Sequence, residues 1–414
     1  MKCARLHKAR RRGAVAPLVA VLMVVLLGMV AFAVDVGWMG IAQAELQNAA
    51  DAAALAGAGQ LMDPCVQFSL PGQTVANQAS ILSAAQASAK TYAKDFASHN
   101  RAGGVSNLVL LDSDIEFGFT DSTGKYTKYT SSPWGGATGF PNTIKVTLRL
   151  DDTAGGNGPL GLFFGGVLGR GATNLTATAS ATIYTGSVDT FSGSPNARLL
   201  PMTLDVNAWN NFLATGVSSD GLLHLDGNGV PQMQVYPSPA LASGNFGMLS
   251  LNDSSGDASS ISNWIDYGLS SGDLKALQSA NLLPLSKHDT TQWDWSGASG
   301  FKSSDLNSLT VGDTYLLPLF KPVVATPGAT YQATDNTAGP ATPGSGGTGS
   351  NAYYQIVQFV GVKVTQLDKS TDVFFQPTYV LDASAIMSTG SVTPATSGSS
   401  SNLVTTFTAP KLSR

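Results

Sequence analysis

Cysteine, histidine and charge are all scarce in this chain, with 2 cysteines, 4 histidines and a charged fraction of 12% among 414 residues. Two cysteines exclude a disulfide-stapled scaffold. The histidines thin out acid-base and metal chemistry, because His7 lies in a basic N-terminal segment and His99, His224 and His288 are widely separated. HExxH, GxSxG and a Gly-Lys-Ser/Thr phosphate loop are missing from the sequence. No catalytic, cofactor-binding or metal residue is therefore assigned, and the chain reads as a non-enzyme. A hydrolase would need His224 or His288 beside acids in a cleft.

Acid is absent before Asp35, while Lys2, Arg5, Lys8, Arg10, Arg11 and Arg12 supply six of the 23 basic residues. The remaining 17 basic residues face all 27 acidic ones. An acidic bulk disfavours nucleic acid as a partner, since such binders need a basic face to displace counterions.

What the sequence does have is one apolar run. Ala14 to Val34 carries no charged or strongly polar side chain, and its 21 residues match the roughly 20 that cross a hydrocarbon core as a helix. Seven Val, four Leu and Phe32 give an insertion free energy on the order of −4 to −7 kcal/mol. Pro17 sits in the first turn, where its missing N–H does no harm. The basic cluster predicts a cytoplasmic N-terminus, with the bulk of the chain periplasmic or extracellular. A cleaved secretory signal is the rival, because Gly28 followed by Ala31-Phe32-Ala33 has the small-x-small look of a cleavage site, although the run exceeds the usual signal core. Arg11-Arg12 followed by Gly13-Ala14 matches a twin-arginine signal poorly.

Arg11-Arg12-Gly13-Ala14-Val15-Ala16, the apolar run, Val34-Asp35-Val36-Gly37 and the stretch Leu46-Gln47-Asn48-Ala49-Ala50-Asp51-Ala52-Ala53-Ala54-Leu55-Ala56-Gly57-Ala58 occur in that order. Together they resemble the N-terminal module of the TadE/TadG family of Flp-type (Tad) pilus-assembly proteins, over residues 11–60. The resemblance implies an inner-membrane anchor that helps assemble Flp pili or a related secretion apparatus. Its partners would be other pilus-assembly or secretion membrane proteins and membrane lipid, with self-association possible. A prepilin site would need an acid about five residues after Gly13, where Leu18 stands, so an uncleaved component is expected.

Trp38 to Ala58 continues without proline and is rich in good helix formers, so the membrane helix is expected to run on as a rod of about 65 Å. Ala49, Ala53 and Gly57 lie four apart, as do Ala50, Ala54 and Ala58. Such small faces let a helix approach closely; the chain's own Ala-rich helix near 73–97 and a partner helix both fit. Arg11, Arg12, Asp35 and Trp38 mark the membrane boundary, Trp38 at headgroup level, with Asp35 and Glu45 read as solvated.

The expected fold class is α+β, with a single transmembrane helix continuing into a periplasmic helix and then β-rich extracytoplasmic domains. The segments are a basic stretch 1–13, a span 14–34, a juxtamembrane helix 35–60, a small α+β domain 61–190, a β-rich domain 191–388 with a mobile loop 334–351, and a disordered tail 389–414. Strands are expected at 107–111, 114–119, 143–150, 175–184, 357–365 and 373–381, a hairpin turn at Asp121-Ser122-Thr123-Gly124, and short helices within 264–280. Pro159 to Gly169 is apolar but too short to span; it is expected to dock on the core, with the membrane surface as the alternative.

Metal readings fare poorly. Some TadG-type proteins carry a von Willebrand A-like Asp-x-Ser-x-Ser site, but Asp382-Ala383-Ser384-Ala385-Ile386 has Ile where the second Ser belongs, and only 28 residues follow. Asp226-Gly227-Asn228-Gly229 and Asn252 to Asp257 read as turns before calcium loops. Cys3 and Cys65 fall on opposite sides of the membrane, which leaves Cys65 as a buried thiol or an intermolecular disulfide. A surface or secreted β-rich binding protein, released by cleavage near Ala33, is the alternative function.

Overall fold

The computed structural model describes residues 15–129, 139–235, 246–252, 258–288, 295–298, 303–321, 331–332, 340–341, 353–368, 372–395 and 405–413. Residues 1–13 with Arg11 and Arg12, Asp253 to Asp257, and the loop 334–351 apart from Pro340–Ala341 lie outside them. The fold is α+β, as the sequence predicts.

Helix α1 runs unbroken from Val15 to Gly59, a length of about 68 Å at 1.5 Å per residue. Pro17 falls in its first turn, and Gly57-Ala58-Gly59 are its last residues. Helix α2, Met62–Phe68, and helix α3, Val75–Ser98, follow. Thr74 caps α3, its Oγ1 accepting from Asn77 N–H at 3.1 Å.

The chain forms two compact units. One holds residues 1–54, 92–115 and 145–179; the other holds 55–91, 116–144 and 180–414. The division expected from sequence is consecutive, 61–190 and 191–388; neither unit is one continuous stretch, because strands distant in the chain pair with each other. One six-stranded sheet has the order Thr393–Pro394, Leu175–Thr185, Thr143–Leu150, Ile115–Thr120, Tyr126–Lys128, with Phe407–Ser413 also on Leu175–Thr185. The turn at Asp121 has the chemistry its sequence demands. Asp121 Oδ1 accepts from Thr123 N–H and Lys125 N–H, and Gly124 adopts φ +85°.

In the first unit, Gly103 shows how closely the chain approaches α1. With φ +57°, it lies where a Cβ would come within 2.4 Å of Leu160 Cδ1 and 3.4 Å of Ala42 Cβ. The expected strand at 107–111 is not one, although Leu108 and Leu110 are buried in the predicted alternation. Asn157 takes the place of a neighbouring strand, its Oδ1 accepting from Val109 N–H at 2.7 Å and its Nδ2 donating to Val109 O at 2.9 Å.

The second unit is built on a seven-stranded sheet in the order His224–Leu225, Pro231–Gln234, Asp372–Pro377, Ile356–Asp368, Thr314–Phe320, Met202–Asp205, Phe246–Met248. Thr314–Phe320 is buried on both faces, and its pairing with Met202–Asp205 is parallel. Helix α4, Val206–Thr215, starts at Asp205, whose carboxylate accepts from Asn207 N–H at 2.7 Å, and stops at Gly216 in the left-handed region. Burial pushes the Asp205 carboxyl above its ordinary value despite these N-terminal amides. Helix α5, Ala258–Tyr267, and helix α6, Ser271–Ser279, follow, α6 with a complete Ser270–Asp273 capping box.

The tail also needs correction. Residues 405–413 are ordered against the sheet: Phe407 is buried, donates its N–H to Val380 O at 3.0 Å, and meets the Tyr379 ring edge-on at 6.3 Å. Thr393–Pro394 pairs with Leu175–Thr185 as well.

Candidate functional site on the anchor helix

The two halves of α1 have opposite environments. From Val15 to Val34 the large apolar side chains are 43–70% exposed, and none of the most apolar window is buried within the protein. Each such side chain favours leaving water by about 1.5–3 kcal/mol when fully transferred. An exposed row of this size has no place on a soluble surface. It is also the one helix among the described residues that is long and apolar enough to cross a membrane.

From Asp35 onward the same helix is gripped by the chain. Asp35, expected to be solvated, is only 5% exposed. Its Oδ1 accepts from Phe163 N–H at 2.8 Å and from Phe164 N–H at 3.2 Å, so a buried carboxylate gains charge-assisted bonds to a turn that would otherwise leave two amides unpaired. Trp38 Nε1 donates to Gly161 O at 3.2 Å, and its ring lies 5.5 Å from Phe163. Glu45, also expected in solvent, accepts from Gly103 N–H at 3.0 Å. Gln43 and Gln47 donate to the carbonyls of Thr176 and Thr178.

All six small residues singled out in the sequence, Ala49, Ala50, Ala53, Ala54, Gly57 and Ala58, are buried inside the chain itself. Sequence reasoning missed Gln43, Gln47 and the polar grip they provide. Their spacing held the signal: Gln43, Gln47 and Asp51 stand four apart, and Gln47 Nε2 also bonds Asp51 Oδ1 at 2.8 Å.

The apolar segment 159–169 does not dock on the core as expected. Leu160 is buried, but Phe163, Phe164 and Val167 are exposed. Leu160–Gly161 pairs with Ala172–Thr173, so these residues occupy the tip of a short hairpin.

Other candidate residues resolve into local structure. Asp226 Oδ1 accepts from Asn228 and Val230 N–H at 2.9 and 2.8 Å, and Oδ2 accepts from Gln376. Asp382 takes Ser384 N–H at 2.8 Å and Arg198 N–H at 3.1 Å. His224 Nε2 lies 2.6 Å from Asp220 Oδ2, Asp220 Oδ1 accepts from Leu222 N–H, and the imidazole packs 5.0 Å from Phe374, an arrangement that closes the turn before His224–Leu225. Among the described residues, no three His, Cys, Asp or Glu side chains gather as a metal site. Cys65 is buried, and desolvation pushes its thiol up to about 12, so it has neither the access nor the thiolate character for exchange.

A single long apolar N-terminal helix, followed by β-rich units, fits the class of membrane-anchored proteins. Residues 13–60 match the Tad family model, described as "Putative Flp pilus-assembly TadE/G-like". The chain therefore carries a Tad-like module, which points to involvement in Flp pilus assembly. The matched residues end within one position of the end of α1. No curated protein and no solved structure showed significant similarity to the chain.

Proposed function

We propose that this protein is an inner-membrane-anchored, non-enzymatic component of a Flp/Tad-type pilus-assembly or related secretion apparatus, acting through protein–protein contacts of its extracytoplasmic part. The observation that carries this reading is the coincidence of the Tad match with one continuous helix whose first half is apolar and exposed and whose second half is held by the chain's own strands. In this reading the span contacts lipid, the basic N-terminus stays in the cytoplasm, and the bulk of the chain is periplasmic or extracellular. Partners are other membrane components of the apparatus, and a second copy is a candidate among them. They meet the outer sheets and loops, because the small-residue faces of α1 are already buried.

The cleaved, secreted alternative is disfavoured by the length of the apolar run, whose 21 residues exceed the usual signal core. The test is mass spectrometry of the full chain, tagged at its C-terminus and purified from detergent-solubilised membranes. An intact basic N-terminal peptide accompanied by Tad components is the expected result. A soluble product beginning near Val34 without those components would sink the proposal.

A further inference from the structure

The bonds between α1 and its collar form an ordered series. Gln47 pairs with Thr178 O at 3.2 Å, Gln43 with Thr176 O at 3.0 Å, Trp38 with Gly161 O at 3.2 Å, and Asp35 with Phe163 N–H at 2.8 Å. Moving from residue 47 to residue 35 descends about 18 Å along the helix axis toward the apolar span. The collar descends in step, so the Leu160–Gly161/Ala172–Thr173 hairpin brings its tip to the level where the charge-free stretch begins. Two fixed levels set its direction: Gly161 sits at Trp38, and Phe163 and Phe164 sit at Asp35, one turn nearer the span.

At that level the tip presents its apolar side chains outward. Phe163 is 65% exposed, Phe164 43% and Val167 87%, with Arg170 also exposed just beyond them. Such a group would be costly in water but suits the boundary between headgroups and acyl chains, with a cation at phosphate height. We infer that the hairpin tip inserts into the same leaflet that α1 leaves, as a second, non-spanning lipid contact. The occupant is the bilayer interface, because the tip is continuous with the exposed apolar surface of the span. Asp35 is the positioning residue, tying the tip's backbone to the helix at the boundary. The inference rests on the membrane-spanning reading of α1.

The test uses the full chain with Cys3→Ser, reconstituted in phosphatidylcholine–phosphatidylglycerol vesicles. The buried Cys65 is left in place. Val167→Cys or Leu26→Cys carries an environment-sensitive fluorophore, and the vesicles carry a spin-label quencher either near the top of the acyl chain or near its middle. The expected result is loss of emission at position 26 with the deep quencher and at position 167 with the shallow one, at a depth of about 5–10 Å. Adding Asp35→Ala should weaken quenching at 167 and leave 26 unchanged. If position 26 escapes both quenchers, the spanning reading itself fails. If 26 is quenched while 167 is untouched, because it faces water or is shielded by another protein, the tip proposal is overturned and the span stands.

Discussion

At Asp35 the sequence and the structure part most sharply. A carboxylate directly after an apolar span reads as a solvated anchor, yet it is buried with two backbone donors. Bonds to a charged acceptor contribute about 1.5–3 kcal/mol each. Asp35→Ala should therefore accelerate hydrogen exchange at the Phe163 and Phe164 amides by about tenfold to a hundredfold. Asp35→Asn, which keeps an acceptor oxygen, should recover part of that protection; no acceleration in the alanine variant would remove Asp35 from its positioning role. Cys65 gives a second prediction. Its thiol, ordinarily at 9.0, is pushed to about 12 by burial. A maleimide should leave it unmodified in the native protein and label it after denaturation. Because the folded value is raised, the stability it contributes is present below about 9 and is lost as pH rises toward about 12.

Asp63 carries a consequence of the same sign, in the acid range. Burial raises its pKa, outweighing the attraction of Lys363 and the bonds from Thr378 and Gln67. A raised folded value means that its stabilising contribution is complete below the ordinary 3.8 and is lost as pH rises through the folded value. Denaturant unfolding of the wild type at a series of pH values should thus show a component that strengthens on acidification, and Asp63→Asn should flatten it. A wild-type profile identical to that of the asparagine variant would contradict the assignment.

At the scale of elements, the C-terminal strand is the clearest surprise. The Gly/Ser/Thr-rich composition of 389–402 suggests a disordered tail, and that composition says nothing about the pairing that awaits residues 405–413 on the Leu175–Thr185 strand, more than 200 positions earlier. Asn142 reinforces the same region by donating to Ala395 O at 2.9 Å. Phe407→Ala, which empties a fully enclosed site, should cost about 3–5 kcal/mol of unfolding free energy. A loss within about 0.5 kcal/mol, the range of ordinary surface changes, would mean that the strand is dispensable.

Other elements divide along the same line between local and distant information. Helix α1 was legible because its apolar and alanine-rich residues, with no proline after Pro17 in the first turn, favour one conformation without help from elsewhere. The strands at 115–120, 143–150 and 175–185 were legible from alternation and β-branching. Thr314–Phe320 was not, because Pro318 argues against a central strand; in the structure Pro318 O accepts from Thr203 Oγ1 at 3.0 Å, and the register shifts at Leu319/Phe320. The collar was illegible for a related reason. Gln43 and Gln47 look like ordinary solvated helix residues until Thr176 and Thr178 arrive from more than 130 positions away.

For the whole molecule, the proposed function depends on where each end of α1 lies. The apolar half has no protein cover, and the half that follows is bonded on one side to strands and a hairpin from the chain's middle; in the proposed reading the bilayer boundary falls beside Asp35. The most direct measurement is proteinase K digestion of intact spheroplasts carrying the full chain with one epitope at its N-terminus and another after Arg414. The prediction is that the C-terminal epitope is destroyed while the N-terminal epitope survives on a short membrane-bound fragment containing the basic segment and the span. Survival of both epitopes, or recovery of the C-terminal one in the soluble fraction before protease is added, would contradict the account.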